Sequence, residues 1–120
     1  MRFVMYDYAS FKTAMDNLRL FLLENALSQE CIFNSKLIAT ELLGNVLQHS
    51  DGKASITVDV EDEVVVLQIL SEKPFLPTLP KTLKKPEVSA ERGRGLYLVD
   101  CLSVDWIVGE NGTMVIKVKK

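Results

Sequence analysis

The sequence predicts an α+β fold, a two-layer sandwich in which a mostly antiparallel sheet carries its helices on one face. Three observations lead there. Five short stretches rich in Val, Ile, Phe and Tyr are bounded by turn signals, and the last four of them fall into two hairpins. Two consecutive stretches with apolar residues at three-four spacing separate the first strand from the first hairpin. Strands joined by tight turns pair antiparallel, and the helices must then cover one face of their sheet. A doubly wound nucleotide fold needs strands that alternate with helices, and this order is different.

Taken in order, Arg2 to Tyr8 alternates loosely and reads as a first strand at an edge. Ser10 reads as the N-cap of a helix to about Ala26, with Phe11, Met15, Leu18, Phe21, Leu22 and Leu23 on its apolar side. Ser28 to Cys31 breaks the pattern, and a second helix runs from near Glu30 to about His49. Ser50-Asp51-Gly52 is a turn signal. Ala54 to Val60 sets Ile56 and Val58 against Thr57 and Asp59, which is a half-buried strand. Glu61 to Glu63 turns a hairpin into Val64 to Leu70, a nearly continuous apolar run suited to a central position. Ser71 to Ala90 then changes character, holding Pro74, Pro77, Pro80 and Pro86 with several lysines, so it reads as a solvated loop or a segment covering a ligand. Glu91 to Leu96 opens a short helix through about Leu102, Ser103 to Val108 is a strand, Asn111-Gly112 a turn, and Thr113 to Val118 the closing strand.

Composition narrows the class. A chain of 120 residues supports one domain, 1–120, with a single core. With 48% hydrophobic and 25% charged residues it is globular, which sets aside disordered and fibrous classes. A net charge of −2 makes no electrostatic case for nucleic acid or a membrane surface as partner. Cys31 and Cys101 form no metal-ligand spacing and read as small buried hydrophobes in a reducing compartment. The start, Met1-Arg2-Phe3, has no signal-peptide pattern, and the run Leu18 to Leu23 is too short to span a bilayer. These features predict a soluble, cytoplasmic domain.

Two clusters carry the chemistry. Glu41, Asn45 and His49 recur every four residues, so they stack along one side of the second helix. The stripe borders the apolar face made by Ile38, Ala39, Leu42, Leu43 and Val46, where a carboxylate and an amide are costly to desolvate unless something polar meets them. Read alone, it is also an ordinary helix end whose histidine is favoured by the dipole. Later, Arg92-Gly93-Arg94-Gly95 precedes a helix. Two glycines one residue apart let backbone approach a ligand, and the free N–H groups of a helix start favour phosphate. Arg92 and Arg94 add charge beside it, although a flexible loop-to-helix junction reads the same way.

These residues together resemble the GHKL (Bergerat-fold) ATPase superfamily, and within it the small bacterial anti-sigma-factor serine kinases. Glu41, Asn45 and His49 are similar to its N-box, Arg92 to Val99 to its second glycine box, and Asn111-Gly112-Thr113 with the strand after it to its closing Gly-Thr segment. The resemblance implies a histidine-kinase-like ATPase fold that binds ATP with Mg2+. It implies that Asn45 holds the magnesium ion, that Glu41 orients or deprotonates the attacking hydroxyl, and that Gly93, Gly95 and the neighbouring Arg92, Arg94 and Leu96 line the phosphate lid. Thr113 would stand on the pocket wall and His49 would play a supporting part. As partners it implies an anti-sigma antagonist, phosphorylated on serine, and a sigma factor; it also allows a homodimer.

One departure stands out. The family's first glycine box, Asp-x-Gly-x-Gly, follows the second hairpin strand and reads the adenine amino group. Here that stretch is Leu70-Ser71-Glu72-Lys73-Pro74, with Ser71 in the aspartate's place and neither glycine. Glu72 carries a carboxylate but is one residue out of step, which on a strand points to the opposite face. The expectation is therefore a working serine protein kinase with a weakened adenine site. The alternative is an inactive member that kept the fold as a protein-binding module.

Overall fold

Alternation in the first hairpin dictates the sheet. The structure, a computed structural model, describes residues 1–49, 53–71, 97–108 and 113–120, except for the side chains of residues 45 and 47–49. Strands β1 (Arg2–Met5), β2 (Ala54–Val60), β3 (Val64–Ser71), β4 (Asp105–Val108) and β5 (Met114–Lys119) form one sheet in the order β1-β2-β3-β5-β4. Every neighbouring pair is antiparallel. The apolar run reaches the centre as β3, and β1 lies at an edge, both as the composition of the strands requires.

The register sorts the side chains into two faces. Ile56, Val58, Val65, Leu67, Ile69, Met114, Ile116 and Val118 lie on one face and are fully buried. Their alternates, among them Asp59, Gln68, Leu70 and Lys117, are exposed on the other. The helices cover the buried face. From α1 (Tyr8–Glu24) come Ala14, Met15, Leu18 and Leu22, and from α2 (Gln29–His49) come Cys31, Ile38, Ala39, Leu42, Leu43 and Val46. Helical residues 97–102 add Val99, also fully buried. Fully burying a side chain of this size stabilises the fold by about 1.5–3 kcal/mol.

Several boundaries differ from the sequence reading for local reasons. The first strand ends at Met5, because Asp7 and not Ser10 caps α1. The Asp7 carboxylate accepts from the Ser10 N–H at 2.8 Å, and the Ser10 hydroxyl accepts from the Asp7 N–H at 3.0 Å. This reciprocal box places Ser10 inside the first turn and holds the Asp7 carboxyl below its ordinary range. Of the expected apolar side, Leu23 is exposed, and Phe11 and Phe21 are half-buried. Helix α1 stops at Glu24, and Ala26 follows with φ 55°, a left-handed turn usually given to glycine. Ser28 then starts α2 by accepting from the Cys31 N–H at 3.1 Å. The Ser103 N–H returns to the Val99 carbonyl at 3.0 Å, so Ser103 belongs to the helix exit and β4 begins only at Asp105.

The cysteines part company. Cys31 is buried as expected, whereas Cys101 is exposed, because its helix turns Val99 inward. Burial pushes the Cys31 thiol up, opposed by its contact with Ser35 and by the charge of Lys120. No helix among the described residues is long and apolar enough to cross a membrane.

Candidate active site

Helix α2 runs antiparallel to β5, so its second half lies over the end of the sheet where β5 begins. Connectivity leads to the same end, because only residues 50–53 separate His49 from Ala54. Ala54 pairs with Ser71, the last residue of β3, and Ile69 pairs with Met114, the first of β5. The last residue of β3, the residue preceding β5 and the exit of α2 thus share one end of the sandwich.

Glu41 lies on α2 between Ile38 and Leu42, both buried, and is itself half-buried. Asn45 is one helical turn further on and His49 is the last helical residue; their backbones belong to α2, and their side chains lie outside the described set. Four residues advance a helix about 6 Å, so the three positions ascend towards the sheet end that holds Ser71. The apolar flank predicted for this stripe is present, since Ile38, Ala39, Leu42, Leu43 and Val46 are all buried. Between the stripe positions, Gly44 has nothing within 4 Å of where a Cβ would stand.

Ser71 is 8% exposed and lies on the helix-covered face, in line with Ile69 and Leu67. Its register partner Ala54 is small and buried, and Met5 lies beyond it on β1. A buried hydroxyl therefore occupies the inward position that the sequence comparison assigned to an aspartate. Thr113 is half-buried immediately before β5. Glu41, Ser71 and Thr113 each engage a partner within the protein. Arg92, Gly93, Arg94, Gly95 and Leu96 lie outside the described residues, as do Glu72, Lys73 and the proline-bearing stretch to Ala90, and the turns at 50–52 and 111–112.

One pair was missed by reading the sequence. The Trp106 indole N–H donates to Asp100 Oδ1 at 3.0 Å, tying helical residues 97–102 to β4. Trp106 is buried, so its N–H needs an acceptor, and that requirement was the available signal. Val99 anchors the same segment from below, and Ser103 Oγ donates to the Val99 carbonyl. The segment that follows the glycine cluster is thereby fastened to the sheet. On its outer side the Cys101 thiol, one turn on, raises the Tyr97 phenol above its ordinary range.

A half-buried carboxylate precedes an amide by one turn on a rigid helix, and an amide oxygen suits a hard cation. Among the described residues no group of three His, Cys, Asp or Glu side chains could hold a metal by itself.

An antiparallel five-stranded sheet with helices covering one face is the architecture of a histidine-kinase-like ATPase domain. The family model for the histidine kinase-like ATPase domain matches residues 6–119, and the chain belongs to that ATP-binding family. No curated protein matches the chain.

Proposed function

We propose that this chain is an ATP- and magnesium-dependent regulatory serine protein kinase of the anti-sigma type, which phosphorylates a small anti-sigma antagonist and binds a sigma factor. The observation that carries the reading is the half-buried Glu41 one turn before Asn45 on α2, the helix whose exit leads to the sheet end where Ser71 is buried. In this role Glu41 orients the substrate hydroxyl and takes its proton, a task that needs a carboxylate close to the γ-phosphate. Asn45 offers its amide oxygen to the magnesium ion, which when bound neutralises charge on the phosphates. Thr113 and Ser71 bound the base side of the pocket, with His49 supporting the helix end. Residues Arg92 to Leu96 are assigned to the phosphates on the strength of their glycine and arginine content alone.

A second reading has its own observation. Ser71 brings a neutral hydroxyl where the family places a carboxylate, which favours a protein-binding module with little nucleotide affinity. Calorimetric titration with ATP and ADP, with and without Mg2+, separates the two. The kinase reading expects magnesium-dependent ATP binding, lost in Asn45→Ala, and a Glu41→Gln variant that binds ATP normally but transfers no phosphate. Absence of any ATP heat in the folded parent protein would establish the second reading.

A further inference from the structure

The outer side of the helix layer carries a groove that the candidate nucleotide site does not use. It runs between α1 and α2 and has a volume of about 490 Å3. Leu23 of α1 and Ile32, Phe33 and Leu37 of α2 give it apolar walls. Phe33 is 64% exposed and Leu23 46%, while Ile32 and Leu37 are half-buried. Single apolar side chains on a surface are ordinary, but a contiguous set lining a concavity marks a place of association.

The charge in the groove has one sign. Arg19 and Lys36 line it, and the rest of its lining is neutral. The neighbouring carboxylates along the two helices, Asp16, Glu24, Glu30 and Glu41, do not line it. Among the described residues neither cation is paired with a carboxylate. Only residues 25–28 join the helices, so α1 and α2 run antiparallel. Leu23 and Phe33 therefore lie towards that connection, and Arg19 and Lys36 stand about one turn further in. The backbone groups of both helices are already bonded within them, so an extended peptide would find no ladder partners here. A helix satisfies its own backbone and can lay an apolar ridge between two others.

We propose that this groove docks an amphipathic helix of a different protein, one whose apolar stripe is flanked by Asp or Glu. The stripe packs on Leu23, Phe33 and Leu37, and the flanking carboxylates meet Arg19 and Lys36. From Gln29 to Thr40 the lining of α2 extends roughly 16 Å, which about three turns of a partner helix would cover. The contact is small against standard interfaces, so a dissociation constant on the order of tens of micromolar is expected. The inference stands apart from the kinase reading, because the groove includes neither Glu41 nor Ser71.

A labelled helical peptide of about 18 residues, with leucine at three-four spacing and glutamate on both flanks, tests it by fluorescence anisotropy. A matched peptide with lysine for glutamate is the control and should bind at least about tenfold more weakly. Amide shifts in the labelled full chain should cluster at residues 19–23 and 29–40. Phe33→Asp should weaken the acidic peptide by at least about tenfold, and Arg19→Glu/Lys36→Glu should reverse the preference in favour of the lysine peptide. Phe33 and Arg19 are exposed and Lys36 is half-buried, so circular dichroism should report an unchanged fold. If the charge reversals unfold the chain, Arg19→Gln/Lys36→Gln should instead abolish the preference. No saturation by either peptide at about 1 mM overturns the proposal, as does equal binding of both or shifts that fall elsewhere. Self-association of the parent that Phe33→Asp abolishes would give the groove to a second copy, and it too overturns the proposal.

Discussion

Replacing Ser71 by aspartate tests the adenine side of the site most directly. The position is 8% exposed, inward on the central strand, and opposite the small Ala54. If the base of ATP reaches this position, a carboxylate offers its exocyclic amino group a charge-assisted acceptor in place of a neutral hydroxyl. Such a bond contributes about 1.5–3 kcal/mol, or roughly one to two decades of affinity. The same carboxylate without nucleotide is a desolvated charge, which costs about 1–3 kcal/mol of stability. The variant should therefore unfold at lower temperature than the parent when empty and recover more than the parent on adding ATP. GTP presents a carbonyl where ATP presents the amino group, so the carboxylate would face another acceptor and GTP should bind more weakly. The hydroxyl of the parent rotates to donate or accept, and it should discriminate poorly, with ATP dissociation constants on the order of tens of micromolar. Calorimetry with both nucleotides, alongside thermal unfolding with and without them, measures each quantity. Unchanged ATP affinity in a folded Ser71→Asp protein would refute the placement of the base. Submicromolar ATP binding with strong rejection of GTP in the parent would refute the claim that the serine weakens the site.

Three further outcomes follow from the fold. Gly44→Ala should raise stability by about 0.5–1 kcal/mol in a denaturant titration, because the helix gains propensity and the new methyl meets nothing within 4 Å. Asp100→Ala should cost about 1–3 kcal/mol by leaving the buried Trp106 N–H unpaired, and Asp100→Asn, which keeps an acceptor, should cost less; a shift in Trp106 fluorescence would accompany the loss. At acid pH, Asp7 contributes in a defined direction. Its folded pKa is depressed, so its stabilisation is present above its ordinary value of 3.8 and disappears as pH falls through the lower folded value. Thermal melts below pH 4 should show a smaller decline for Asp7→Asn than for the parent.

Much of this fold was legible because one face of the sheet is buried and the other is not. Ala54 to Val60 could be bounded to the residue, since alternation and the acidic turn after it agree. The sequence reading ended this strand at Leu70, whereas β3 continues through Ser71, which lies inward in parity with Leu67 and Ile69. The boundaries that moved did so where a polar side chain had two uses. Ser10 can cap a helix or complete another residue's capping box, and only the conformation of Asp7 decides between them. Cys101 was misread because its helix had too few residues for periodicity to show which side faces the core. The bond between Asp100 and Trp106 joins a helix to a strand, and nothing local in the sequence announces a contact of that kind.

Strand β3 divides the two faces of the sheet. Its inward residues, Val65, Leu67, Ile69 and Ser71, are buried against the helix layer, and the last of them stands at the candidate nucleotide site. Its outward residues, Val64, Val66, Gln68 and Leu70, make the middle column of the exposed face. The buried and exposed faces of the strand are thus separated by a single residue of register, Leu70 outward and Ser71 inward. A slip of one residue would turn Ser71 to the outside and drive Gln68 into the core, where an unpaired amide costs about 1–3 kcal/mol. The register is held from both sides, by β2 through seven residues and by β5 through six. A central strand so fixed holds Ser71 at the helix-covered end of the sheet.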